Sequence, residues 1–189
     1  MAKKHGVTAN TFTRFLIDAG AVYKNYGEAG ETLLGATRGG NSFKIETEQR
    51  TMEVDGAIGM VKGGQRIVGV KATITANFVE MSKALFLLAN PGATAADFPA
   101  TEGKTHDLIT RARDLLTTDH VTNIAIVGNS TYSTTGYVVV KLYNALADGN
   151  VELGFNDKDE SVVPVTFQAF FDPTTLSTEP WAIYNPVLA

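Results

Sequence analysis

Apolar and polar residues alternate most strictly over residues 66–78. Val70, Ala72, Ile74, Ala76 and Phe78 fall on one side, and Lys71, Thr73, Thr75 and Asn77 on the other. A period of two predicts a strand with one buried and one wet face. Residues 42–54 also alternate, Phe43, Ile45, Thr47, Gln49, Thr51 and Glu53 against Lys44, Glu46, Glu48, Arg50, Met52 and Val54, but neither side is strongly apolar. Residues 55–65 between them carry glycines at 56, 59, 63 and 64. The two runs and their glycine-rich link predict one long hairpin over residues 42–78, with its tip at residues 55–65.

Other runs rich in aromatic and β-branched residues predict strands over 12–26, 105–115, 121–127, 137–147 and 162–171, and a short one over 151–155. Gly20 marks a bend or bulge in the first, and Pro164 puts its strand at an edge or a bulge. Ser82 followed by Lys83-Ala84-Leu85-Phe86-Leu87-Leu88-Ala89 predicts a capped helix over 82–89, stopped by Asn90-Pro91-Gly92. Residues 27–41 and 93–103 read as loops. Residues 1–11 read as an amino-terminal arm and 172–189 as a carboxyl-terminal arm, anchored by Trp181. With no repeat or dividing linker, residues 1–189 form one mainly β domain: a β-sandwich or partial barrel with one flanking α-helix and the long hairpin.

Composition narrows the function classes. At 189 residues, 44% hydrophobic and 19% charged, the chain is globular. The absence of cysteine removes disulfides, thiolate metal sites and a thiol nucleophile. Lys3 and Lys4 precede no apolar run, so no secretory signal is expected. No stretch reaches the roughly 18 apolar residues of a membrane span, so no membrane insertion is expected and the chain reads as made in a cytoplasm. A net charge of −4 argues against a dedicated nucleic-acid binder.

Each catalytic reading lacks a named part. His5, His106 and His120 have no ligand spacing. Gly35-Ala36-Thr37-Arg38-Gly39-Gly40-Asn41 lacks the Lys-Ser/Thr of a phosphate loop. Asn156-Asp157-Lys158-Asp159-Glu160 lacks the glycine and distant glutamate of a calcium loop. No Gly-x-Ser-x-Gly elbow is present. The sequence therefore predicts no enzyme, no catalytic or metal residues and no cofactor. What remains is association: a two-sided hairpin offers unpaired edges to copies of the same chain, and a repeated contact that does not close builds a filament.

Three segments carry a resemblance. They are Asp18-Ala19-Gly20-Ala21-Val22-Tyr23 leading into Leu34-Gly35-Ala36-Thr37-Arg38-Gly39-Gly40-Asn41-Ser42-Phe43; Arg50-Thr51-Met52-Glu53-Val54-Asp55-Gly56-Ala57-Ile58-Gly59 leading into Lys62-Gly63-Gly64-Gln65-Arg66; and Ala72-Thr73-Ile74-Thr75-Ala76-Asn77-Phe78-Val79-Glu80. Together they resemble the major tail (tail tube) proteins of long, non-contractile-tailed bacteriophages. The resemblance implies a virion structural protein, assembled in the host cytoplasm and located in the tail. Its copies would form hexameric rings that stack around a tape-measure protein, meet tail terminator and distal tail proteins, and let double-stranded DNA pass through the lumen. Hairpin and arms would bridge subunits. On that reading Asp55, Gly56, Ala57, Ile58, Gly59, Lys62, Gly63 and Gly64 form an assembly tip. Glu46, Glu48, Thr73, Thr75 and Asn77 are lumen candidates, on faces shared with Lys44, Arg50 and Lys71. The inner tube of a contractile tail or a type VI secretion-like tube has the same fold logic. A β-sandwich carbohydrate-binding module is the third alternative, for which Tyr132, Tyr137 and Tyr143 would have to form a platform.

Overall fold

The computed structural model describes Val7, Leu16 and residues 18–101, 104–130, 136–155 and 157–186. Its strands are β1 (Ala21–Lys24), β2 (Thr32–Leu33), β3 (Ser42–Thr51), β4 (Gln65–Phe78), β5 (Ala93–Thr101), β6 (Lys104–Arg111), β7 (Val121–Asn129), β8 (Tyr137–Ala147), β9 (Val163–Gln168) and β10 (Trp181–Tyr184). One α-helix, α1 (Lys83–Ala89), lies between β4 and β5. The fold is mainly β, and every strand pairing is antiparallel.

The main sheet runs β2-β1-β7-β8-β9-β4-β3, with β10 also paired to β8, and β5-β6 form a separate pair. β8 is the corner. Its residues 139–142 pair with β10, while Leu146 and Ala147 pair with β9. One strand thus serves two leaves, which is how a sheet folds over on itself. The leaves share a single core: Val22, Ile124 and Leu142 from one side meet Ala72, Ile74, Ala76, Phe78, Val163, Val165 and Phe167 from the other. Phe43 of β3 and Trp181 of β10 meet across it, with ring centroids 6.2 Å apart.

β4 shows the cause most plainly. Ala72, Ile74, Ala76 and Phe78 are buried and the residues between them are not, as their alternation predicts. The helix begins where the Ser82 side chain accepts from the Leu85 N–H at 3.1 Å, satisfying an otherwise orphaned donor. It ends at Asn90, whose side chain donates to the Phe86 carbonyl. Leu85 and Ala89 carry it onto the core. At Pro164, β9 pairs with β4 only, because its contact with β8 is confined to Phe167 and Gln168, so the missing N–H falls where one side of the strand has no partner strand.

Several local expectations change. The predicted loop over 93–103 contains β5, paired with β6 through Ala95↔Ile109 and Ala96↔Leu108. Its alanines and Asp97 are weak strand formers, and the long-range partner decides. The strand predicted over 105–115 stops at Arg111. Residues 151–155 form no strand, and Leu153 and Phe155 stand exposed. Of the strand predicted over 12–26, the described part contains β1 and a lone bridge from Leu16 to Ser130. Gly20, with φ of +71°, turns the chain into β1. Within the span read as a carboxyl-terminal arm, β10 is a sheet strand. The amino-terminal arm lies outside the described residues apart from Val7.

Candidate functional site

β4 is paired on both sides only near its carboxyl end. Its register with β9 runs from Thr73 to Phe78, and its register with β3 runs on to Gln65. From Gln65 to Lys71 the two strands therefore form a ribbon with no further strand beside it among the described residues. At about 3.3 Å per residue that is a projection of roughly 23 Å. A lone two-stranded ribbon is marginal in water, and the exposure follows: every residue from 52 to 63 is exposed.

The register assigns the faces. Phe43↔Ile74 and Ile45↔Ala72 point to the core; Ser42↔Thr75, Lys44↔Thr73, Glu46↔Lys71 and Glu48↔Gly69 point away. All five lumen candidates thus lie on one face, Glu46 and Glu48 on β3 and Thr73, Thr75 and Asn77 on β4. Two of them are engaged locally. The Thr75 hydroxyl lies 3.0 Å from that of Thr166, and the Asn77 amide donates to the Gly40 carbonyl at 3.0 Å. Up to the Glu48–Gly69 pair the exposed charges balance. Lys44 pairs with Glu46 at 2.7 Å, and Lys71 stands opposite Glu46. The hydrogen bond from Lys44, and then its charge, hold the Glu46 carboxyl below its ordinary range.

A bulge then changes the pattern. Glu48 faces Gly69 but Gln49 faces Ile67, so β4 spends one extra residue, Val68. A strand's faces reset at such a point. Ile67 comes to the side of Val70 rather than that of Lys71, and Arg66 comes opposite Arg50 on the polar face. Ile67 is 62% exposed and Val68 55%. Uninterrupted alternation places Ile67 on the polar side, so this strip was invisible in the sequence.

The tip consists of two tight turns. The Ala57 N–H donates to the Val54 carbonyl at 3.1 Å and the Gly64 N–H to the Val61 carbonyl at 3.0 Å. Gly56 and Gly63, each with φ of +88°, occupy the third position of these turns. A positive φ there is what a type II turn requires, and glycine adopts it without strain. The curl encloses a hollow of about 480 Å³ lined by Met52, Val54, Ala57 and Met60, among others. Of the residues read as the assembly tip, Ile58 is fully exposed. Met52, Val54, Met60 and Val61, which the glycine pattern did not single out, add to the same uncovered apolar surface.

Other candidates resolve into packing. His120 meets Phe170 edge-on at 5.0 Å, and His106 lies in β6. Among the described residues no group of three or more His, Asp or Glu could hold a metal ion. No described helix is long and apolar enough to cross a membrane. His5, Asn156 and Tyr132 lie outside the described residues. Tyr143 does not join Tyr137: its hydroxyl lies 2.8 Å from that of Tyr184, and burial pushes it up to about 12.

No family model and no curated protein sequence matches the chain. Among solved structures, a chain from the tail of an empty GTA particle, determined by helical refinement with C6 symmetry, is similar at 8% identity and a TM-score of 0.45, over 82% of this chain and 92% of that one. A chain from the virion of a native gene transfer agent particle is similar at 9% identity and a TM-score of 0.38, over 81% and 92%.

Proposed function

We propose that this chain is the repeating structural subunit of a phage-type tail tube. Its copies close laterally into hexameric rings, and the rings stack into a hollow conduit for double-stranded DNA. The observation that carries the reading is the β3–β4 ribbon, which leaves the body with an uncovered apolar tip. Met52, Val54, Ile58, Met60, Val61, Ile67 and Val68 are all exposed there. Full burial of such a side chain contributes about 1.5–3 kcal/mol. Half of that, for side chains already partly covered, totals roughly 5–10 kcal/mol over the seven. This is comparable to the roughly 4–15 kcal/mol cost of association, so a ribbon contact would offset much of that cost and the rest of the interface would supply the net affinity.

The resemblance of residues 18–23, 34–43, 50–59, 62–66 and 72–80 to tail tube proteins gives the contact its geometry. On this reading residues 55–64 seat on a neighbouring subunit, and the face bearing Glu46, Glu48, Thr73, Thr75 and Asn77 lines the lumen around the tape-measure protein. Lys44 and Lys71 balance Glu46 and Glu48 on that face. Over residues 42–48 and 69–77 that wall carries no net positive charge, so this part of it gives phosphate few cations to hold it, while Arg50 and Arg66 lie farther out toward the tip. Terminator and distal tail proteins cap the two ends.

Negative-stain electron microscopy of the purified protein tests this. Rings or tubes of uniform diameter are expected as concentration rises or when tape-measure protein is added. A chain that stays monomeric in both conditions removes the reading. A sheath-protein gene beside this one would reassign the tube to a contractile tail.

A further inference from the structure

Arg50 and Arg66 stand directly opposite each other on the polar face of the ribbon. Like charges in that position destabilise an antiparallel pair. Neither guanidinium has an ion pair among the described residues. An exposed apolar side chain, Met52, follows two residues beyond Arg50. Such a surface asks for a partner that is both anionic and apolar.

The chain carries the complement on its own body. Between β8 and β9, Leu153 and Phe155 lie between Glu152 and the run Asp157-Lys158-Asp159-Glu160, and Phe155 is 92% exposed. This segment already binds one guanidinium. Arg38, from the loop before β3, donates to Glu160 and lies 3.5 Å from Asp159. Glu152 and Asp157 have no ion pair among the described residues.

We infer that the Arg50–Arg66 pair of one copy docks on the acidic, Phe155-bearing segment of a second copy. Glu152 and Asp157 receive the guanidinium groups, and Phe155 covers Met52 beside them. The inference rests on the assembly reading and names the partner surface of its ribbon. A second copy fits better than a nucleic acid, because phosphates would neutralise the arginines but leave Met52 wet. Charge complementarity of this kind sets register and on-rate as well as affinity.

Charge exchange tests it. Three chains are compared by sedimentation and electron microscopy at low and high salt: R50E/R66E, E152R/D157R, and the chain carrying all four changes. Circular dichroism confirms folding of each, which is expected because all four sites are exposed. Each pair alone should raise the concentration needed for assembly by about ten-fold or more. The four-fold exchange should restore it to within a few-fold of the unaltered chain. Assembly unaffected by R50E/R66E overturns the inference. So does loss of assembly that E152R/D157R fails to rescue, an outcome that assigns the arginines to another anion such as DNA phosphate. An unaltered chain that never assembles overturns the tube reading itself, and this contact with it.

Discussion

Arg113 holds Asp119 by two parallel hydrogen bonds, 2.6 and 2.7 Å long, and so clamps the connection between β6 and β7. The same carboxylate accepts the Leu116 N–H at 2.8 Å. The paired guanidinium first, and that N–H second, lower the Asp119 carboxyl from 3.8 to about 2. A lowered folded value means that the clamp stabilises the protein above the ordinary carboxylate range and loses that contribution as pH falls through about 2. Thermal melts of the unaltered protein should therefore drop between pH 4 and pH 2 more than those of Asp119→Asn, whose side chain does not titrate. Parallel curves for the two would refute the assignment.

Asn123 is a polar side chain that is almost fully buried, and it is there to hold a loop. It accepts the Tyr26 N–H at 2.7 Å and donates to the Tyr26 carbonyl at 3.3 Å, while Lys141 donates to that same carbonyl at 2.9 Å. Asn123→Ala leaves the Tyr26 amide covered without its acceptor, at a cost of about 1–3 kcal/mol. Urea unfolding should show a lower midpoint with an unchanged slope.

Gly20 turns into β1 with φ of +71°, and an added Cβ would lie 2.5 Å from Cγ2 of Ile126. Gly20→Ala combines left-handed strain of about 1–2 kcal/mol with that clash. The expected loss is about 2 kcal/mol or more, read from chemical denaturation. A neutral result would mean that the chain can enter β1 by another route.

The ribbon tip should separate folding from assembly. Ile58 and Met60 are exposed and outside the core, so I58D/M60D should leave monomer stability within about 0.5 kcal/mol. Placing two carboxylates in the proposed contact should abolish rings and tubes. Deleting residues 55–65 should act in the same direction. A full yield of tubes from the deletion would take the tip out of the mechanism.

The body of this fold was legible wherever burial imposes a period. Ala72, Ile74, Ala76 and Phe78 read directly as an inward face, and Ser82 as a cap. β5 was not legible, because Ala93, Thr94, Ala95 and Ala96 take strand form only against β6. The ribbon was legible in outline, as two runs joined by glycines. Its apolar strip was not, since the bulge at Val68 moves Ile67 across the sheet and alternation cannot register an inserted residue. The opposed arginines had the same origin. Sixteen positions separate Arg50 from Arg66 in the sequence, and only the shifted register brings them face to face. Asn123 reads in the sequence as an ordinary polar residue among Val121, Ile124 and Ile126. Its role depends on Tyr26, a partner 97 positions away.

The two strands that share one edge of β8 also order events in time. β8 is synthesised before β9 and β10, and β1 waits about a hundred residues for β7 to pair with it. Such long separations make folding slow. Until β10 emerges, residues 139–142 of β8 lack a partner on that edge, and a nascent chain displays a strand edge that another chain could occupy. On the proposed assembly reading, each chain would have to finish its own sheet before joining others. The protection against premature, disordered joining lies in how quickly its final strand, Trp181–Tyr184, closes that seam.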